Sequence, residues 1–218
     1  MMKYKVLFID EEKSQHNEFA DFMDKYHDKV DLICTFPLSG MEETITMIDE
    51  LRPDAIVSDF KLNDIKEDIN YNISFDGSEL MDAYLEERPG FPCFVLTSFD
   101  DQAIYRSHDL NIVYLKRDLH PSQDDKITFA DRIIQKIVCY QTNLSKSQER
   151  LNSLIELRRN NNATSKDEQE LIELDSYLER SLGRKTEVPD EMKALSNMRR
   201  LNTLISKADE ILAKLEKK

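Results

Sequence analysis

The sequence predicts an α/β domain built on a parallel sheet, followed by an all-α extension. Three observations carry this. Short apolar runs alternate with helix-periodic segments through the first half of the chain, the pattern of strand–helix–strand units. Four of those runs stop at polar or charged residues: Lys5-Val-Leu-Phe-Ile at Asp10 and Glu11, Asp54-Ala-Ile-Val-Ser at Asp59, Cys93-Phe-Val-Leu at Thr97 and Ser98, and Ile112-Val-Tyr-Leu at Lys116. From about Asp124 the strand signal ends and only helical spacing remains.

Each element follows in order. After the first strand, Phe19, Phe22, Met23 and Tyr26 recur at helical spacing. Asp31 to Phe36 reads as a second strand. Ser39 and Glu42 have the spacing of a capping box, opening a helix with Ile45, Ile48 and Leu51 inward and Pro53 as its stop. The third strand closes at Asp59. A third helix follows Gly77 with Leu80, Met81, Tyr84 and Leu85, and Pro89-Gly90 turns into the fourth strand. A short fourth helix is expected over Asp101 to His108, and the fifth strand ends near Lys116.

In the extension, Ile127, Ala130, Ile134, Ile137, Gln141, Leu144, Gln148, Leu151 and Ile155 step by alternating threes and fours, a coiled-coil-like seam. Its first part is expected to cover the sheet and the rest to run beyond the domain. Asn160-Asn-Asn breaks it. Ser165 with Glu168 is expected to cap a helix carrying Leu171, Leu174 and Leu178 and ending at Gly183. Pro189 precedes a last helix with Ala194, Met198, Leu201, Ile205, Ala208, Leu212 and Leu215 on one stripe. Short helices are marginal alone in water, so these should pack as an antiparallel hairpin or bundle, or pair with another chain.

Composition narrows the function. The chain has 218 residues and net charge −13, unevenly spread: residues 1–120 carry 12 Lys+Arg against 26 Asp+Glu, whereas residues 121–218 carry 18 against 17. An acidic domain is repelled by nucleic acid, and a near-neutral helical one lacks the basic stripe that phosphate contacts require. No stretch approaches the ~18 apolar residues of a membrane helix, so neither nucleic acid nor membrane is expected as a partner. Met1-Met-Lys-Tyr-Lys runs straight into the first strand, so no signal peptide is expected. Cys34, Cys93 and Cys139 are odd in number and fit ordinary thiols in a reducing, cytoplasmic setting. No Gly-rich phosphate loop is present, so nucleotide hydrolysis and kinase activity are not expected. The four histidines lack metal-ligand spacing and are expected to face solvent.

Parallel sheets place their ligand chemistry just beyond the carboxyl ends of the strands. Carboxylates, a hydroxyl and an amine meeting there would hold a hard divalent cation beside an acceptor carboxylate, which is what phosphoryl transfer to an aspartate needs. The same residues in the same order resemble the receiver domain of two-component response regulators. Phe8-Ile9-Asp10-Glu11-Glu12 looks like the first strand with its acidic pair, and Val57-Ser58-Asp59 like the phosphoacceptor strand. Leu96-Thr97-Ser98 is similar to the hydroxyl strand and Tyr114-Leu115-Lys116 to the lysine strand.

The resemblance covers roughly residues 3–122. It implies a five-stranded flavodoxin-like sheet of order 2-1-3-4-5 in a receiver of residues 1–122, with residues 123–218 as a helical, coiled-coil extension whose first part is the fifth receiver helix. It also implies Asp59 as phosphoacceptor, with Mg²⁺ as cofactor on the carboxylates of Glu11 and Asp59 and the backbone carbonyl of Lys61. Asp10 would orient a ligand water. Thr97 and Lys116 would contact the phosphoryl group through their side chains, and Ser98 through its backbone N–H. The implied protein is not an enzyme beyond its own phosphotransfer and autodephosphorylation. Its partners would be a sensor histidine kinase and an effector protein, or a second copy in a homodimer, through the C-terminal helices.

The chain departs from the family at four places. Arg117 follows the lysine where Pro is usual. Val113 stands where the family's switch aromatic is expected, with Tyr114 next to it. Asn63 replaces a Pro beyond the phosphoacceptor. Asp76-Gly77 comes late, leaving an insertion at about residues 64–75 that carries Ile69, Tyr71, Ile73 and Phe75. This insertion reads either as a disordered loop or as a lip over the site that reads a partner. Val113 and Arg117 keep a second reading open, a pseudo-receiver binding module not switched by phosphorylation. A DNA-binding regulator is a third.

Overall fold

The computed structural model describes residues 3–63, 68–98, 109–120 and 126–183. Five strands, β1 (Tyr4–Ile9), β2 (Val30–Thr35), β3 (Ala55–Asp59), β4 (Cys93–Thr97) and β5 (Val113–Leu115), form one sheet in the order β2-β1-β3-β4-β5. All four pairings are parallel. This is the flavodoxin-like order, with its reversal point between β1 and β3. Every residue of the central strands β3 and β4 is buried, as expected for strands covered on both faces. The edge strands β2 and β5 are half-exposed over most of their length.

Alternation along the strands sorts the core into two layers. On one face Val6, Phe8, Ala55, Val57, Phe94 and Leu96 pack with Phe19, Phe22 and Met23 of α1 (Lys13–Met23). Phe129, Ala130, Ile133 and Ile137 of a long helix, α4 (Phe129–Arg159), complete that layer. Phe8 and Phe19 stack with ring centroids 4.3 Å apart, and burying each such ring contributes roughly 1.5–3 kcal/mol. On the other face α3 (Gly77–Glu87) packs on β3 and β4, and α2 (Met41–Leu51) packs on α3. Arg88 Nη2 pairs with Asp49 Oδ1 at 2.5 Å and Arg88 Nε donates to the Tyr84 hydroxyl at 3.0 Å, tying α3 to α2.

Local expectations are corrected in three places. The Ser39–Glu42 capping box does not form: Gly40 is the α2 N-cap with no side-chain hydrogen bond, and Ser39 Oγ donates to Glu43 Oε2 instead. Thr44 Oγ1 accepts the Leu38 N–H at 3.0 Å and takes over the task of anchoring that loop. The last described helix, α5 (Ser165–Ser181), is capped by Thr164 with Asp167, one residue before the expected Ser165–Glu168 pair. The seam of α4 is also rotated. Phe129, Ile133 and Tyr140 are buried with Ala130 and Ile137, while Ile127 is 65% exposed and Gln141 is exposed. The aromatic rings win these positions because Phe129 meets Tyr114 and Phe94, and Tyr140 meets Phe91.

The chain divides into two compact units, residues 1–143 and 144–218. The first takes in the part of α4 that covers the sheet. In the second, Leu151 and Leu154 of α4 and Ile172 and Leu178 of α5 are buried. Arg150 forks onto Glu170 at 2.8 and 2.7 Å and Arg158 Nε lies 3.3 Å from Glu168, pairs that run in opposite senses along the chain. These two helices therefore form an antiparallel hairpin, turned at Asn161 in the left-handed region (φ 57°). The expected helices over Asp101–His108 and Ala194–Leu215 lie outside the described residues. Among the described residues no helix is long and apolar enough to cross a membrane.

Candidate functional site

The carboxyl ends of β1, β3, β4 and β5 meet at a cleft of about 230 Å³. It is lined by Asp10, Glu11, Asp59, Lys61, Thr97, Ser98 and Lys116, together with Glu12, Gln15 and Phe60. Every residue singled out from the sequence is therefore in one place. Asp10, Glu11, Asp59 and Thr97 are buried there, Lys61 and Lys116 half-buried, and Ser98 exposed.

Asp59 is held from two sides. Lys116 Nζ lies 2.7 Å from Oδ1, and the Lys61 N–H donates to Oδ2 at 2.7 Å. Asp10 Oδ1 accepts the Glu12 N–H at 2.8 Å. The other oxygen, Asp10 Oδ2, is buried and accepts no hydrogen bond among the described residues; Lys116 Nζ is 3.8 Å away. One carboxylate oxygen of each of Asp10, Glu11 and Asp59 can be chosen so that all lie within 4.8 Å of one another.

Electrostatics follows from this crowding. Burial, then the Asp59 charge, pushes the Asp10 carboxyl up to about 8 from an ordinary 3.8. Burial by itself would lower the Lys116 ammonium, but the Asp59 charge and hydrogen bond beside it outweigh burial and raise it. Three acidic groups thus face one cation, with a buried carboxylate oxygen left unsatisfied. A hard divalent ion with oxygen ligands suits that donor set, so the residues present fit Mg²⁺. Asp10, Glu11 and Asp59 would hold it.

The late Asp76-Gly77 opens α3 directly beside the acceptor strand. Asp76 caps α3 in a reciprocal box with Glu79, and the Gly77 N–H donates to the Phe60 carbonyl at 2.8 Å. A Cβ on Gly77 would sit 2.0 Å from the Asp59 carbonyl oxygen. Only glycine allows α3 to start this close to the acceptor strand. Gly77→Ala is expected to cost about 1–3 kcal/mol, as overpacking does, and to weaken the protein's thermal response to Mg²⁺ because the Asp59 backbone must shift. Denaturant unfolding with and without Mg²⁺ checks this; a wild-type midpoint and response would show that the contact relaxes freely.

The insertion is neither a loose loop nor a wall of the cleft in its described part, residues 68–75. Ile69, Ile73 and Phe75 are buried, the Tyr71 hydroxyl donates to the Pro37 carbonyl at 2.6 Å, and Asp68 Oδ2 accepts the Lys13 N–H at 2.9 Å. Its alternate apolar residues anchor it. Tyr114 does not stand in for the aromatic absent at Val113. Adjacent strand residues face opposite sides, and Tyr114 packs on Phe129 at 4.9 Å and Phe94 at 5.7 Å, on the α4 side of the sheet.

Two neighbours of the site carried no sequence signal. His16, expected to face solvent, is 2% exposed; its Nε2–H donates to the Asp10 carbonyl at 3.0 Å, and burial holds its pKa below the ordinary 6.5. His27 and His120 are exposed as expected, and His108 lies outside the described residues. Gln15 Oε1 accepts from Lys116 Nζ at 2.9 Å. Both lie in the first turn of α1, immediately after the acidic pair, which is the one hint their positions offered.

No family model and no curated protein matches this chain. Solved structures with a similar arrangement include a response regulator of Chloroflexus aurantiacus, 14% identical over 62% of this chain and 95% of that one, with a TM-score of 0.41. The response regulator RcsB of Salmonella typhimurium is 16% identical over 90% and 99%, with a TM-score of 0.44. The anti-anti-sigma factor PhyR of Bartonella quintana is 15% identical over 68% and 52%, with a TM-score of 0.44. At these identities and TM-scores the likeness carries no argument, and the fold rests on the sheet order.

Proposed function

We propose that this protein is a phosphoacceptor of the response-regulator kind, taking a phosphoryl group onto Asp59 and signalling through protein contacts. The observation that carries the reading is the 2.7 Å pair of Lys116 with Asp59, inside a cluster of three buried carboxylates with one oxygen unsatisfied. A structural ion pair needs no second and third acid beside it. An acceptor site does, because the acids gather a cation and the lysine meets the incoming negative charge.

In the proposed reaction one Asp59 oxygen bonds to phosphorus as the bond from phosphorus to the donor's leaving atom breaks. Bound Mg²⁺ would offset charge on the phosphoryl oxygens. Lys116 then exchanges its carboxylate partner for a phosphoryl oxygen, and Thr97, buried at the end of β4, presents its hydroxyl to another. The Ser98 backbone N–H would donate to a further phosphoryl oxygen, and the Lys61 carbonyl would join the carboxylates in holding the cation. Positioning and electrostatics do the catalysis, so the protein is not otherwise an enzyme. The donor class is a phosphohistidine of a sensor kinase in the cytoplasm.

Incubation with Mg²⁺ and acetyl phosphate, read by intact mass, tests this directly: one phosphoryl group per chain, only with the metal, is expected. Absence of labelling, together with Mg²⁺ binding, would favour the pseudo-receiver reading. Tyr114 on the α4 side of the sheet favours that reading, because it leaves no aromatic to move between the two sides of β5.

The output is proposed to run through the helical extension. The apolar stripe that the sequence predicts over Ala194 to Leu215 would need cover from neighbours in the chain, a second copy or an effector. Full-length protein is expected to sediment as a homodimer and a fragment of residues 1–143 as a monomer. If both are monomeric, and removing residues after Arg158 leaves kinase and effector binding unchanged, the extension is not the output element.

A further inference from the structure

Lys116 is poorly fixed by its own strand. β5 has three residues and pairs only with β4, and the chain turns immediately at Lys116–Leu119 with Arg117 exposed. The position of the ammonium is therefore set by what its three N–H groups meet. Those are Asp59 Oδ1 at 2.7 Å, Gln15 Oε1 at 2.9 Å and, more distantly, Asp10 Oδ2 at 3.8 Å. Asp59 is the group that changes in the proposed reaction, and Asp10 would be drawn to a bound cation. Gln15 is the partner that stays.

Its base is rigid. Gln15 is the third residue of α1, and the first residue of that helix is pinned by the Lys13 N–H donating to Asp68 Oδ2. The carboxamide supplies an acceptor oxygen without adding a fourth negative charge to Asp10, Glu11 and Asp59. We propose that Gln15 is a positioning residue for Lys116: its side-chain carbonyl, reaching across from α1, holds the ammonium on the acceptor carboxylate and keeps it in the cleft when the phosphoryl group arrives. The inference rests on Asp59 as phosphoacceptor for its catalytic consequence, but the tether itself can be read without any phosphoryl transfer.

The test compares wild type, Gln15→Ala and Gln15→Glu as full-length chains. In the ¹⁵N-lysine spectrum of the metal-free protein, the Lys116 ammonium should be sharp in wild type, exchange-broadened in Gln15→Ala and sharp again in Gln15→Glu, which restores an acceptor oxygen. With Mg²⁺ and acetyl phosphate, Gln15→Ala should lower kcat for phosphorylation by about tenfold with KM nearly unchanged, since substrate binding is left in place. A Lys116 signal equally sharp in Gln15→Ala overturns the tether, and a lost signal with an unchanged kcat overturns its role in the reaction. If wild type takes no phosphoryl group while the signal still depends on residue 15, the phosphoacceptor reading fails and Gln15 stands as the residue that positions Lys116.

Discussion

Asp59→Asn is expected to abolish phosphoryl incorporation and leave the fold intact. The residue ends β3, is 5% exposed and is held through both oxygens, by Lys116 and by the Lys61 N–H. An amide keeps the shape and one acceptor oxygen. It lacks the anionic oxygen that attacks phosphorus and draws a cation. Its neighbours respond as well. Asp10 loses the charge that, after burial, holds its proton on, so it ionises more readily and can serve as partner to Lys116. The lost ion pair is thereby offset by relief of crowding among three acids, and stability should change by no more than about 2 kcal/mol. Intact mass after exposure to acetyl phosphate, with a thermal melt alongside, decides. Unchanged labelling in the variant would move the acceptor elsewhere.

A second large effect concerns metal and pH together. The metal-free protein is expected to lose stability between pH 7 and 9, and Mg²⁺ to restore it. With its folded pKa raised to about 8 from 3.8, Asp10 keeps a proton in the native state that the unfolded chain has released. The native state therefore binds more protons from about pH 4 to about pH 8, and stability falls as pH rises through that span, the last part of it between pH 7 and 9. The contribution lost between pH 7 and 9 is about 1.4 kcal/mol. The other two shifted groups at the cleft leave this unchanged, while the thiols of Cys34 and Cys93, both pushed up by burial from an ordinary 9.0, add a smaller loss in the upper part of the window. His16, lowered, is neutral in both states above pH 7, and Lys116, raised, stays charged in both below pH 9.

Metal binding requires the ionised carboxylates, so the gain from Mg²⁺ should be larger at pH 9 than at pH 7. It should reach about 2.7 kcal/mol when the ion is a hundredfold above its Kd. Asp10→Asn should reduce the pH dependence of Tm to the smaller slope left by the buried thiols and raise the metal-free Tm at pH 9, while Glu11→Ala should remove most of the Mg²⁺ gain. A wild-type Tm indifferent to millimolar Mg²⁺, with the same pH slope in Asp10→Asn, would refute the cation site.

Much of this was legible in the sequence because burial on both faces writes itself as continuous apolar runs. Val6 to Ile9, Ala55 to Val57 and Cys93 to Leu96 are such runs, and each ends where the sheet ends and polar chemistry begins. Strand ends in a parallel sheet all point the same way, so four runs ending in polar side chains converge whatever the loops do. That is why Asp10, Glu11, Asp59, Thr97 and Lys116 were found without a structure. Helix ends were read less well. Ser39–Glu42 and Ser165–Glu168 have capping-box spacing, yet Gly40 and the Thr164–Asp167 pair took those places, because cap spacing recurs by chance in a chain so rich in acids.

By itself the sequence determined the fold class, the acidic cluster and the helical extension, consequences of period and burial along one chain, whereas the strand order was implied only by the receiver resemblance. Only the tertiary structure decided which side chains meet across elements. It turned α4 so that Phe129, Ile133 and Tyr140 face inward, buried His16 against Asp10, drew the insertion onto Pro37 and Lys13, and set Gly77 against the Asp59 carbonyl. It also brought Gln15 to Lys116, 101 positions away in the chain. Such contacts depend on distances between elements, and those are fixed by packing many side chains at once. No local pattern of residues encodes them.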